Sequence, residues 1–317
     1  MPDAPHSHPT AGRPAIGGQA VLEGVMMRGP RSWSVACRRP DESIAVEDHP
    51  LPTLAQRKPW LQWPLLRGCY VLGESLAIGM RALMISTNQA LEEEEQLTDK
   101  QLVWTITVAM VLFSAIFIVL PVFGTRLIEH FFKDLKTSRL LFTVVEGCLR
   151  IGLFVAYLTV IGQFKDVRRL FQYHGAEHKT IYAYENADEL VPAEIDRKYS
   201  TLHVRCGTNF LFIVLFLTII AHFALDVAFT PTFWARILIR LAAIPFLAGI
   251  SYEVIKFASR NENSALFKIA MLPGLALQKI TTKPPTLDQI EVAIAAMQAV
   301  TRDLDDLPAI SPQTPVS

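Results

Sequence analysis

The chain has 317 residues, 30 basic and 30 acidic side chains, 51% hydrophobic and 19% charged residues, and a mean hydropathy of +0.29. Zero net charge without a basic field argues against a nucleic-acid-binding domain, and the apolar content argues against a disordered chain or a collagen-like or disulfide scaffold. The apolar residues gather in long runs, the pattern of a membrane protein.

Residues 1–14 are rich in Pro and small polar residues and are expected to form a disordered tail. No basic stretch leads into an apolar one there, so no cleavable signal peptide is expected. Residues 15–60 read as a β-rich cytoplasmic segment: SWSVACR and SIAVED alternate in character and are separated by a turn-forming Arg-Pro-Asp-Glu. The four cysteines (Cys37, Cys69, Cys148, Cys206) form no C-x-x-C pair, so reduced thiols are the default. Residues 61–100 read as an amphipathic helix and an acidic linker, with Arg67, Glu74 and Arg81 on one face and a solvated run from Glu92 to Glu95. Whether residues 61–86 span, re-enter or lie on a membrane stays open.

Residues 101–255 are expected to hold four transmembrane helices. Leu102–Phe123 is free of charge over 22 residues; at 1.5 Å per residue it reaches about 33 Å, enough for a hydrocarbon core of roughly 30 Å. Leu140–Gly162 carries Glu146 and Arg150, and Thr208–Leu225 carries only His222. Trp234–Ile255 is interrupted by Arg236, Arg240 and Glu253. With the N-terminus inside, eleven Lys and Arg flank the inner helix ends against four at the outer ends, which favours both termini in the cytoplasm. Residues 256–307 read as C-terminal cytoplasmic helices, one broken at Pro273-Gly274. A last one is opened by a Thr286/Gln289 capping box, with an apolar stripe of Leu287, Ile290, Ile294, Met297 and Leu304. Residues 308–317 are a second expected tail, and there is no internal repeat.

The cytoplasmic loop 163–207 carries the densest chemistry. His174, Glu177 and His178 form H-x-x-E-H, in which two histidines one helical turn apart bind zinc and the glutamate between them serves as base. A catalytic zinc site takes three protein ligands, and Glu185, His203 and Cys206 are all candidates for the third, with Glu23 a further alternative. A second constellation lies inside the helices: Glu146 with Arg150, His222 with Asp226, then Arg236 and Arg240. It reads either as a polar pathway or as structural pairing, such as Asp226 with Arg236. A third stretch, GGQAVLEGVMMRGP, fits neither a dinucleotide fingerprint nor a P-loop; its Glu23 and Arg28 form an ion pair or line the metal cleft.

Together with RG…L.ES..IGMRAL, QYHGAEHKTI, H-x-x-CGT-x-F and PGLALQKITTKPP…Q-x-EVAI, that stretch resembles the bacterial YqhQ-like family from about Gly17 to Ala295. This is a membrane family often labelled as predicted metal-dependent enzymes. The resemblance implies that Glu23, Arg28, His174, Glu177, His178, His203 and Cys206 match its motifs. The expectation is a mainly α, polytopic helical protein of the bacterial inner membrane with a small β-containing N-terminal cytoplasmic region. Its function would be zinc-dependent hydrolysis of a membrane-associated peptide or lipid-linked substrate. The alternatives are a scaffold or assembly factor with a structural metal site, and a transporter or channel using Glu146, Arg150 and Asp226. The lipid bilayer is the expected partner and nucleic acid is not. Oligomeric state stays open, because the first transmembrane helix offers no clear small-xxx-small seam.

Overall fold

The computed structural model describes residues 13–51, 63–90, 98–132, 138–229, 232–259 and 264–302. The expected tails (except Arg13 and Pro14), the acidic run Glu92–Glu95, Lys133, Lys136 and Leu304 lie outside the described residues, as does the side chain of Asp226.

Four antiparallel strands form one sheet in sequential order: β1 (Gly17–Val21), β2 (Gly24–Arg28), β3 (Ser32–Arg38) and β4 (Ile44–Pro50). Side chains alternate between the two faces, and here both faces are covered. Val25, Met27 and Ala36 face a core completed by two helices, α5 (Lys165–Glu185) and α10 (Leu287–Thr301), while Val21, Met26, Trp33 and Val35 face Ile78 and Ala82 of α1 (Leu66–Ala90). Double coverage explains why the central strands are nearly continuously apolar instead of cleanly alternating.

The remaining helices are α2 (Asp99–Ser114), α3 (Leu120–Phe131), α4 (Arg139–Ile161), α6 (Pro192–Lys198), α7 (Gly207–Phe229), α8 (Phe233–Ser259) and α9 (Ala265–Thr281). A π turn over Ala115–Val119 joins α2 and α3 into one long rod, so this element continues well past Phe123. The described residues contain five helices long and apolar enough to cross a membrane, against the four expected: Leu66–Ala90, Val103–Phe131, Leu140–Ile161, Gly207–Phe229 and Trp234–Val254. The additional one is α1. Its first turn is tied to the later half of α8 through the Arg67–Glu253 ion pair, a 3.1 Å contact of Cys69 Sγ with the Pro245 carbonyl, and the apposition of Gly68 and Gly249. Its last turn reaches the sheet, where Gln89 bonds Glu47 at 3.1 Å and accepts from Arg39 at 2.7 Å.

The segment 163–207, with its H-x-x-E-H motif expected on a helix, is mostly helical, as α5 and α6. One other expectation changes. Helix α9 continues through Pro273, at the cost of one backbone hydrogen bond, because α7 packs along it. The Thr286/Gln289 capping box opens α10 as expected.

The buried charges among the long helices are paired, Glu146 with Arg150 as expected and with Arg240 in addition. Arg150 also donates to the Phe117 carbonyl in the π turn at 3.0 Å and meets His222 Nδ1 at 3.3 Å. Arg236 lies over the Phe142 ring at 4.8 Å.

Candidate metal centre

Helix α5 carries the site. Asp166 in its first turn complements the helix dipole, and from Phe171 onward most of its residues are buried because the sheet, α6 and α10 surround it. His174 and His178 lie one turn apart on one face. The Thr281 carbonyl lies 2.9 Å from His174 Nδ1, and the Thr201 carbonyl bonds His178 Nδ1. A carbonyl only accepts, so both Nδ1 atoms carry the proton and both Nε2 atoms are free as ligands. His174 Nε2 lies 3.2 Å from Cys206 Sγ, while His178 Nε2 is buried with no hydrogen-bond partner. One ligand atom from each of His174, His178 and Cys206 falls within 4.8 Å of the others. Two imidazoles and a thiol are a donor set suited to zinc, and the orphaned Nε2 is the atom an ion would satisfy.

Cys206 precedes the N-terminus of α7, and the Thr208 hydroxyl and amide donate to its sulfur at 3.3 and 3.5 Å. Burial opposes ionisation, yet the proximity of His178 and the donors of Thr208 hold the thiol below its ordinary value. Burial holds the neighbouring His178 below the usual imidazole range. The segment bearing Cys206 is fixed from α9 by Gln278, whose side chain accepts from His203 N at 2.8 Å and donates to His203 O at 2.9 Å.

Glu177 opens onto the same cleft, about 440 Å³ in volume, whose walls include residues 16–20, His174, His178, His203 and Cys206. It is fully buried, and burial pushes its carboxyl up to about 8, against the opposing influence of His174. Gly18 of β1 makes room for it: a Cβ there would lie 2.6 Å from Glu177 Oε1.

The other sequence candidates fall elsewhere. Glu185 shares the histidine face but sits seven residues further along, about 10 Å at the helical rise; it pairs with Arg205, and its other oxygen lies 3.8 Å from His203 Nε2. His203 lines the cleft, and its ring packs on Tyr182 (4.4 Å) and His178 (5.4 Å). Glu23 does not reach the cluster, because the β1–β2 turn holds it at φ 52° against Arg169 and within 3.3 Å of the Tyr173 hydroxyl. Arg28 pairs with Glu74 and Ser75 of α1 and not with Glu23. Three residues of the site left no local trace in the sequence, Gln278, Thr201 and Thr281, because they act across 20 to 110 positions of chain.

A family model described as "Protein of unknown function (DUF1385)" matches residues 63–303. "Uncharacterized protein YqhQ" of Bacillus subtilis (strain 168) is 33% identical over 303 residues, covering 91% of this chain and 93% of that protein. No solved structure matches the chain.

Proposed function

We propose, for a chain that belongs to the YqhQ-like DUF1385 family, a zinc-dependent hydrolase working at the cytoplasmic surface of a bacterial inner membrane. The observation that carries this reading is the convergence of His174, His178 and Cys206 at an open cleft that Glu177 also faces. Three protein ligands beside accessible space suit a catalytic zinc, whereas four closed ligands suit a structural one. Zinc held there supplies Lewis acidity toward a carbonyl and lowers the pKa of water. The chain's own groups do the rest. Thr281 and Thr201 orient the imidazoles, Gln278 fixes the Cys206 segment, and Glu177 takes the proton of the attacking water.

The helices support the membrane setting. α2–α3, α4, α7 and α8 form four spans whose outward faces carry large apolar side chains such as Phe113, Phe123, Phe131, Trp234 and Phe246. α1 is taken to lie along the inner surface, where Ile78 and Ala82 pack on the sheet and Arg67 pairs with Glu253 near the end of α8. Four crossings put both termini in the cytoplasm with the metal cleft, in agreement with the distribution of Lys and Arg.

The experiment compares the zinc-loaded parent and Glu177→Gln in nanodiscs against a panel of fluorogenic esters and internally quenched peptides. A loss on the order of 100- to 10,000-fold with zinc retained is expected for removal of a general base. Turnover at the parental rate in Glu177→Gln would overturn the catalytic role and leave a structural metal site.

A further inference from the structure

The metal cleft is bounded on one side by a strand edge. Among the described residues β1 is terminal in the sheet and pairs only with β2, and Ile16 through Ala20 line the cleft together with His174, Glu177 and Cys206. Gly17, Gly18 and Gln19 are exposed. The hairpin closes at Val21↔Gly24 around Leu22 and Glu23, so paired and outward-facing backbone groups alternate back along β1. Gly18 and Ala20 are therefore the residues whose N–H and C=O face away from β2.

The two edges of this sheet are built differently. β4, the opposite edge, reads IAVEDHP, with Glu47, Asp48 and Pro50, the charges and proline by which proteins block unwanted strand pairing. β1 reads GGQAV and has neither charge nor proline. Space for a Cβ at Gly17 is open, and at Gly18 the missing side chain brings the strand backbone against the Glu177 carboxylate. An edge left unprotected beside the one side-chain cluster among the described residues suited to a metal is an edge meant to be paired.

We infer that the cleft takes an extended polypeptide, which adds to β1 as a further strand and carries its backbone past His174, His178 and Cys206; this rests on the zinc-hydrolase reading. The free stretch of Gly17–Ala20 is about 13 Å long at the rise of a strand, enough to pair with roughly four residues. Cys206, Gly207 and Thr208 place the cleft at the start of α7, so the polypeptide is one presented next to the membrane surface. The reaction adds one water across an amide. The water oxygen bonds the carbonyl carbon, the C–N bond breaks, one proton ends on the leaving amine, and the other hydrogen stays with the new carboxyl group. Main-chain pairing supplies the affinity, and alternate side-chain contacts supply what selectivity there is.

The test uses full-length Glu177→Gln protein in nanodiscs, loaded with zinc, and a pool of peptides about ten residues long from a digest of bacterial membrane proteins. Retained peptides are identified by mass spectrometry, and each is resynthesised with a single N-methyl group at every position in turn. Retention is expected, with slowed amide exchange over residues 17–20 and an N-methyl scan whose losses recur at every second position. Ala20→Pro removes an outward-facing amide that the β1–β2 ladder does not use; it is expected to weaken retention at least tenfold at unchanged zinc content. If that variant misfolds, the N-methyl scan still decides. Absence of retained peptides, an N-methyl scan without alternation, or full retention by a folded Ala20→Pro overturns the inference. Hydrolysis of a lipid-linked substrate by a protein that retains no peptide does so too, while sparing the zinc reading. Absence of zinc overturns the zinc reading alone, because strand addition is measured without turnover.

Discussion

Gln278 is the most informative residue outside the ligand cluster, and Gln278→Met is the substitution that isolates its role. It is fully buried, and Met keeps nearly the same volume while deleting both bonds to the His203 backbone. The two losses are unequal. Met offers no acceptor to the His203 N–H, and the loss of that buried bond costs about 1–3 kcal/mol. The His203 carbonyl keeps the Cys206 amide at 3.3 Å and the Asn209 side chain at 3.5 Å, so its loss is smaller, about 0.5–1 kcal/mol. A total of roughly 2–4 kcal/mol lowers the thermal midpoint of the detergent-purified protein by about 3–6 °C. The same bonds hold Cys206 in place, so zinc affinity, measured by chelator competition, falls about ten- to a hundredfold, as for other groups that orient metal ligands. A midpoint within a degree or two of the parent, with unchanged zinc affinity, would refute the claim that Gln278 positions the site.

Further outcomes follow from close contacts and charge. Gly175 lies between His174 and Ala176, and a Cβ there would fall well inside contact distance of the Lys283 carbonyl oxygen; Gly175→Ala is expected to cost about 1–3 kcal/mol, read as a lower melting midpoint together with weaker zinc binding. Glu146→Gln leaves Arg150 and Arg240 buried without their shared carboxylate, a loss of about 3–5 kcal/mol; the unfolding midpoint is expected to drop while zinc content holds, and an unaltered midpoint would contradict the structural role of the cluster. Glu177→Gln is expected to fold and to bind zinc like the parent, because the amide matches the carboxyl in shape, with turnover as the property lost.

Much of the architecture was legible because its signals are local. The apolar runs gave the helices their approximate places, and Thr286 with Gln289 gave the start of α10. SWSVACR and SIAVED gave β3 and β4, while β1 and β2 were hidden in a glycine-rich stretch that reads equally well as turns. The place of α1 could not be read from composition, since the same 25 residues suit a span or a surface helix. At the site, the i, i+4 histidines were visible in sequence, but the choice among Glu185, His203 and Cys206 was not. That choice depends on where α7 begins and on how far along α5 each group lies. Glu23 was misleading for the same reason: a motif shows which residues occur together, not which way a tight turn directs them.

The central claim is that His174, His178 and Cys206 hold a metal ion, and metal content by mass spectrometry tests it most directly. The detergent-purified parent is compared with the His174→Ala/His178→Ala double variant, both folded and both reconstituted with zinc. The account predicts about one zinc per chain in the parent, as for a single mononuclear site, and its loss in the variant. An empty parent, or a variant that keeps its zinc, would contradict it.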